Sequence, residues 1–223
     1  AEAVLRVGAT PVFADIDPVT FNIDPATVEP LVTERTQAIL PVHIFGLPAP
    51  MDELVRIAAR HDLRSLEDAA QAFGACHHGK RVGAIGDVGA FSFYPTKTLG
   101  AYGDAGLLTT DDGEVAEKAR RLRNHGSRVE EKYIHDFLGH NSRLDALQAA
   151  VLRVKLGRVE EWAQKRRQVA GWYHELLGDV PEVVLPPLDG EHVFHQFTVQ
   201  LPEERLEGVR EGLSAAGIAS QRF

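Results

Sequence analysis

The chain has 223 residues and a formal net charge of −8, with 44% hydrophobic and 25% charged residues. These are the proportions of a globular chain able to bury a core, and the acidic balance opposes binding along a nucleic-acid backbone. The single cysteine, Cys76, excludes an intrachain disulfide framework. No apolar run approaches the ~20 residues that cross a bilayer as a helix, and Glu2 and Arg6 interrupt the first apolar stretch where a signal peptide would run. The expectations are therefore no nucleic acid, no membrane and a cytoplasmic location. The chain opens without Met in mid-pattern and stops at Phe223, which reads as part of something longer.

In chain order, residues 10–15 and 38–45 read as strands closed by turn signals. Pro50 opens a helix with Leu54, Ile57, Ala58 and His61 on one face. Residues 63–66 form a short strand ending at Glu67-Asp68, and 88–93 and 105–110 two more. Asp112 is the N-cap of a helix striped by Val115, Ala119 and Leu122. Residues 142–177 are almost continuously helical, with Leu144, Leu147, Val151 and Val154 on one stripe and a bend at Gly157. Pro181, Pro186 and Pro187 mark a boundary, followed by a strand over 193–199 and a last helix carrying Leu206, Val209 and Leu213. Strands alternating with helices imply crossover connections, an α/β layer and a mostly parallel sheet. Ligands in such sheets bind beyond the carboxyl ends of the strands, where Asp68 and the loop 92–97 fall.

Singly, the chemical candidates are weak. Lys97 follows the aromatic run Phe91-Ser92-Phe93-Tyr94-Pro95-Thr96, and a lysine held among aromatics at a strand end is partly desolvated and nucleophilic. Asp68 reads equally as a helix cap or as a carboxylate for a protonated ring nitrogen, with Ala69, Ala70 and Ala72 small enough to let a flat ring approach. Ser92 is a strand hydroxyl or a phosphate donor. Cys76-His77-His78 has the composition of a metal site, but neighbours on an extended chain point to opposite faces and no second ligand pair stands at metal spacing, so no metal is expected.

In combination the motifs are specific. Glu67-Asp68-Ala69-Ala70-Gln71-Ala72 is followed by Gly86-Asp87, then Gly89-Ala90-Phe91-Ser92-Phe93-Tyr94-Pro95-Thr96-Lys97 and Gly103-Asp104-Ala105-Gly106. Arg123-Asn124-His125-Gly126-Ser127 and Gly139-His140-Asn141-Ser142-Arg143-Leu144-Asp145 complete the series. From about Gly8 to Gly217 the chain resembles the DegT/DnrJ/EryC1/StrS family of sugar aminotransferases, which depend on pyridoxal 5′-phosphate (PLP) and have PLP fold type I. The resemblance implies a large PLP-binding domain over residues 1–155, and a helical bridge with a small α+β C-terminal domain over 156–223. Both domains would be truncated, since the family's phosphate-binding turn and ring-stacking aromatic precede the stretch matching Ala1.

The same resemblance implies that Lys97 is the Schiff-base lysine, and that Asp68 pairs with the pyridinium nitrogen. Gln71 would sit against the ring hydroxyl, Ser92 would bind the cofactor phosphate, and Asn141 would reach the cofactor phosphate of the neighbouring subunit in a homodimer. The implied reaction moves an amino group from an amino acid, glutamate by family habit, to a keto group of a nucleotide-linked sugar. The run from Ser92 to Gly106 is similar to that of 3-aminotransferases, which favours C3 over C4. Lys97 stands against the family's dehydratases, where a histidine replaces it. Cys76 is in the wrong context for a desulfurase, another fold type I enzyme. A catalytically silent regulator on the same fold is the other alternative.

Overall fold

The computed structural model describes residues 1–128 and 133–223. Its centre is a four-stranded sheet in the order β1 (Ala38–Ile39), β2 (Arg64–Asp68), β5 (Val88–Ser92) and β6 (Gly106–Thr109). The β1–β2 and β2–β5 pairs are parallel and β5–β6 is antiparallel, as expected of a mostly parallel sheet. A hairpin of β3 (Cys76–His77) and β4 (Lys80–Arg81) lies apart from it. The helices are α1 (Glu2–Arg6), α2 (Pro25–Val28), α3 (Met51–Arg60), α4 (Gly113–Leu122), α5 (Ala146–Leu156), α6 (Val159–Leu177) and α7 (Glu203–Ala215).

The best-formed elements are those with both a periodic apolar stripe and a terminal signal. Helix α3 buries Met51, Leu54, Ile57 and Ala58 against Val28, Ile39 and Leu63, forming one of three core clusters. Asp112 caps α4 by accepting the Glu114 and Val115 N–H groups. The long helical stretch divides at Gly157, which closes α5 before α6 begins at Val159.

Three expected elements differ. Residues 10–15 form no strand, because the Asp17 carboxylate folds the chain just beyond them: its Oδ1 accepts from the Val19 and Thr20 N–H groups and the Thr20 hydroxyl. An isolated bridge, Ile16 to Ile23, is what remains. The 38–45 strand is interrupted at Pro41, which has no N–H to give the ladder. Pairing resumes in an isolated bridge between Val42 and Asp68, and Phe45 then turns the chain with φ 57°. Residues 193–199 are held by other bonds, Val193 N–H donating to Gly46 O and Gln196 N–H to Phe45 O. Phe194 takes φ 45°, in the left-handed region that breaks a strand.

The expected 144–154 stripe is not a core face. Leu147 and Val154 are 80% and 79% exposed, and the side chain α5 buries is Leu152, packed with Phe93, Leu99, Ala101 and Val159. The accessible surface of 14616 Å² exceeds by nearly half the roughly 10,000 Å² expected of a compact monomer of this mass. Within the described residues no helix is long and apolar enough to cross a membrane.

Candidate active site

Two adjacent parallel strands set the site. In the β2–β5 register Asp68 lies opposite Ala90, so Asp68 and Ser92 sit at neighbouring carboxyl ends. The loop leaving β5 carries Lys97. Phe93 anchors that loop at both ends, its N–H donating to Ala105 O and its carbonyl accepting from Ala101 N–H, each at 2.8 Å. Within the loop, Lys97 N–H donates to Tyr94 O at 2.9 Å. Gly100 must lack a side chain, because a Cβ there would run into the Pro95 carbonyl. From outside, α5 pins the loop: Lys155 Nζ donates to Gly100 O at 2.6 Å and lies 4.6 Å from the Tyr102 ring centroid, while Gln148 Oε1 accepts from Tyr102 N–H.

Of the residues singled out in the sequence, Asp68, Gln71, Ser92 and Lys97 are half-buried and Asn141 is exposed. Asp68 Oδ1 accepts the Ala70 N–H at 3.1 Å, a local turn bond with no helix behind it, so the helix-cap reading does not hold. Its second carboxylate oxygen makes no hydrogen bond among the described residues. Gln71 Oε1 accepts the Phe45 N–H at 2.6 Å, which fixes the amide and presents its nitrogen as a donor. Ser92 Oγ accepts from Tyr94 N–H. Among the described residues the Lys97 ammonium has neither a hydrogen bond nor an ion pair. Asn141 is bridged to Asn124 at the end of α4 rather than bonded to the other four. Ala69 and Ala72 are buried with Val82, Ala163 and Val193, so their small size serves the packing of α6 against this segment, while Ala70 between them stays half-buried.

Beneath Asp68 lies a buried hydrogen-bonded frame that the sequence did not announce. Glu67 and His43, neither side chain exposed, pair at 3.0 Å. Glu67 also accepts the N–H groups of Gly83, Ile85 and Gly86, and His43 Nδ1 accepts the Ala49 N–H. That last bond assigns the imidazole proton to Nε2, facing Glu67. Burial alone would raise the Glu67 carboxyl, but the hydrogen bonds from His43, Gly86, Gly83 and Ile85 outweigh it and hold Glu67 below the ordinary glutamate range.

His195 is the second residue local patterning missed. Burial, then the positive charges of Lys97 and Arg166, lower its pKa to about 4, so it stands as a neutral imidazole near Lys97. Arg166 on α6 is fixed by donating to the Phe194 and His195 carbonyls at 3.0 and 3.2 Å. Thr98, Trp162, Arg166, Tyr173, Phe194 and His195 border a cavity of about 430 Å³. Among the described residues, Thr98 Oγ1 and His195 Nδ1 are buried without hydrogen-bond partners, the condition of groups that a ligand or water completes.

A half-buried lysine in a pinned loop, a carboxylate with a spare oxygen on the next strand, and polar atoms without partners among the described residues beside a cavity mark a candidate site at the strand ends. The model of the DegT/DnrJ/EryC1/StrS aminotransferase family matches residues 1–223, and the chain belongs to that family, with the α/β architecture of PLP fold type I. It is 50% identical to a pleiotropic regulatory protein of Geobacillus stearothermophilus, over 100% of this chain and 60% of that protein. It is 49% identical to a UDP-N-acetyl-3-dehydro-alpha-D-glucosamine 3-aminotransferase of Acidithiobacillus ferrooxidans, over 99% of this chain and 59% of the relative. Among solved structures, Streptomyces venezuelae DesV in complex with a ketimine intermediate superposes with a TM-score of 0.92 at 47% identity, covering 98% of this chain and 58% of that one. The chain thus spans about three fifths of the length of these relatives.

Proposed function

We propose that the whole protein is a PLP-dependent aminotransferase that passes an amino group from an amino acid, glutamate, to a keto carbon of a nucleotide-linked sugar. The observation that carries this reading is the placement of Asp68 and Ser92 at the carboxyl ends of two paired parallel strands, with Lys97 in the loop that leaves the second. Lys97 offers the amine that holds the cofactor covalently and then carries a proton. The spare oxygen of Asp68 suits a ring N–H⁺ through a charge-assisted hydrogen bond. Gln71, its amide oxygen held by Phe45 N–H, would donate to the ring hydroxyl, and Ser92 would hold the phosphate. When bound, PLP supplies an electron sink for carbanion chemistry, which requires the ring nitrogen to stay protonated.

C3 is the favoured position, in keeping with the loop from Ser92 to Gly106 and with the 3-aminotransferase named among the relatives. Glutamate and matched 3-keto and 4-keto nucleotide sugars, given to the full-length enzyme, test both levels. Preference for the 3-keto compound is expected. Preference for the 4-keto compound would overturn the regiochemistry alone, and transfer to neither would favour the silent regulator suggested by the name of the Geobacillus relative.

The domain division at residues 155 and 156, a cytoplasmic location and a homodimer belong to the same proposal. In it, Asn141 serves the partner's cofactor phosphate, and the exposed apolar side chains of α5, Leu147 and Val154, lie at the interface, as large uncovered patches do. Mixed dimers of Lys97→Ala and Asn141→Ala chains should regain activity, because one site of each heterodimer then lacks both lesions. Heterodimers that form and stay inactive would refute the shared site.

A further inference from the structure

We propose a divalent transition-metal site, of the Zn²⁺ class, made by His77, His78 and Asp52 and lying outside the aminotransferase site. The expectation that neighbouring histidines diverge fails here. His78 adopts φ 49°, and this turn of the backbone brings the two rings together, stacked with centroids 4.2 Å apart and planes 26° off parallel. Asp52, in the first turn of α3, faces both. Its Oδ2 is 2.8 Å from His78 Nδ1, and its Oδ1 is 3.6 Å from His77 Nε2. One ligand atom from each of the three residues lies within 4.8 Å of the other two. Nitrogen and oxygen ligands about 2.0–2.2 Å from a Zn²⁺ stand roughly 3–4 Å from one another, so the three atoms would draw together around a bound ion.

A second observation concerns His77. Its Nε2 is buried and has no hydrogen-bond partner among the described residues, while its other ring nitrogen, Nδ1, lies 3.7 Å from Glu191 Oε2. Metal-binding histidines turn one ring nitrogen toward a carboxylate and the other toward the ion; His77 has Glu191 on its Nδ1 side and Asp52 on its Nε2 side. The other oxygen of Glu191 accepts the His78 backbone N–H at 2.5 Å, so one carboxylate lies against both histidines. Two imidazoles and a carboxylate favour Zn²⁺, Co²⁺ or Ni²⁺ over Mg²⁺ or Ca²⁺. An ion bound there would tie the start of α3 to the β3–β4 hairpin, with Glu191 joining a third segment as an orienting partner.

Zn²⁺ titration of untagged full-length protein stripped of metal, followed by calorimetry and by the melting temperature, tests the site. About one equivalent per chain should bind and raise the melting temperature by several degrees. His77→Ala and His78→Ala should each abolish that equivalent, and Glu191→Gln should weaken it by about tenfold, the lower end for loss of an orienting partner. His61→Ala, at the separate His61–Glu29 pair, should change nothing. Absence of a stoichiometric equivalent in the parent, or its survival in either histidine variant, overturns the proposal.

Discussion

Lys97→Ala in the full-length protein should lower amine transfer by about 10²–10⁴-fold or more, the span associated with a positioned proton-transfer group. The loss should be chemical rather than structural. The loop is held by Phe93, Gly100 and Lys155, and by backbone bonds that alanine retains, while the Lys97 side chain has no partner among the described residues. The melting temperature of the variant without cofactor should therefore match that of the parent. Borohydride reduction should fix PLP to the parent and leave the variant mass unchanged. Removing the ammonium also takes away one of the two positive charges acting on His195, so that imidazole should titrate closer to the ordinary histidine range. A variant that still turns over, or that retains borohydride-fixed cofactor, would remove Lys97 from the chemistry.

The parts of this fold legible in the sequence are those where local and tertiary preferences agree. Helix α3 has its buried stripe and α4 its Asp112 cap, and β2 and β5 are short apolar runs ended by turn residues. From these, the strand-end positions of Asp68, Ser92 and Lys97 followed. The failures have nonlocal causes. Residues 193–199 alternate like a strand, yet their backbone donors go to the turn at Phe45 and Gly46, some 150 positions earlier. The α5 stripe has the spacing of a core face, but no element among the described residues covers it. His77 and His78 were misread because the extended chain was assumed to continue through His78, where the φ angle is positive. His195 lies nearly a hundred positions from Lys97, and no local spacing relates them. Glu67 did leave a trace: in β2 the side chains facing its buried side are Ser65 and Glu67. A charged residue at an inward strand position needs internal partners, and the glycine-bearing 83–86 loop supplies them.

Those partners make Glu67→Ala the substitution with the largest expected effect on stability. It would strip the Gly83, Ile85 and Gly86 N–H groups and His43 Nε2 of their acceptor at once. Each buried donor left without its acceptor costs about 1–3 kcal/mol, so losing several at once removes a large share of the roughly 5–15 kcal/mol that holds a domain folded. The urea midpoint should fall accordingly, and Asp68 should be displaced, because it follows Glu67 directly on β2 and its own N–H and C=O are bonded to Pro41 and His43. Glu67→Gln keeps the shape and loses less, and it separates charge from packing through pH. The folded Glu67 carboxyl titrates below its ordinary value of 4.5, so the folded state binds its proton less readily than the unfolded chain. The stabilisation is therefore complete above about pH 4.5 and is lost as pH falls through the lower folded value. His192 and His195, both lowered to about 4 chiefly by burial, add a separate decline that starts near pH 6.5, where unfolded histidines titrate, and continues to about pH 4. The parent and Glu67→Gln should share that upper decline and converge below pH 4.5, where the parent midpoint falls more steeply. Parallel curves through that lower range would mean that the Glu67 carboxylate is not the ionised centre of the frame beneath Asp68.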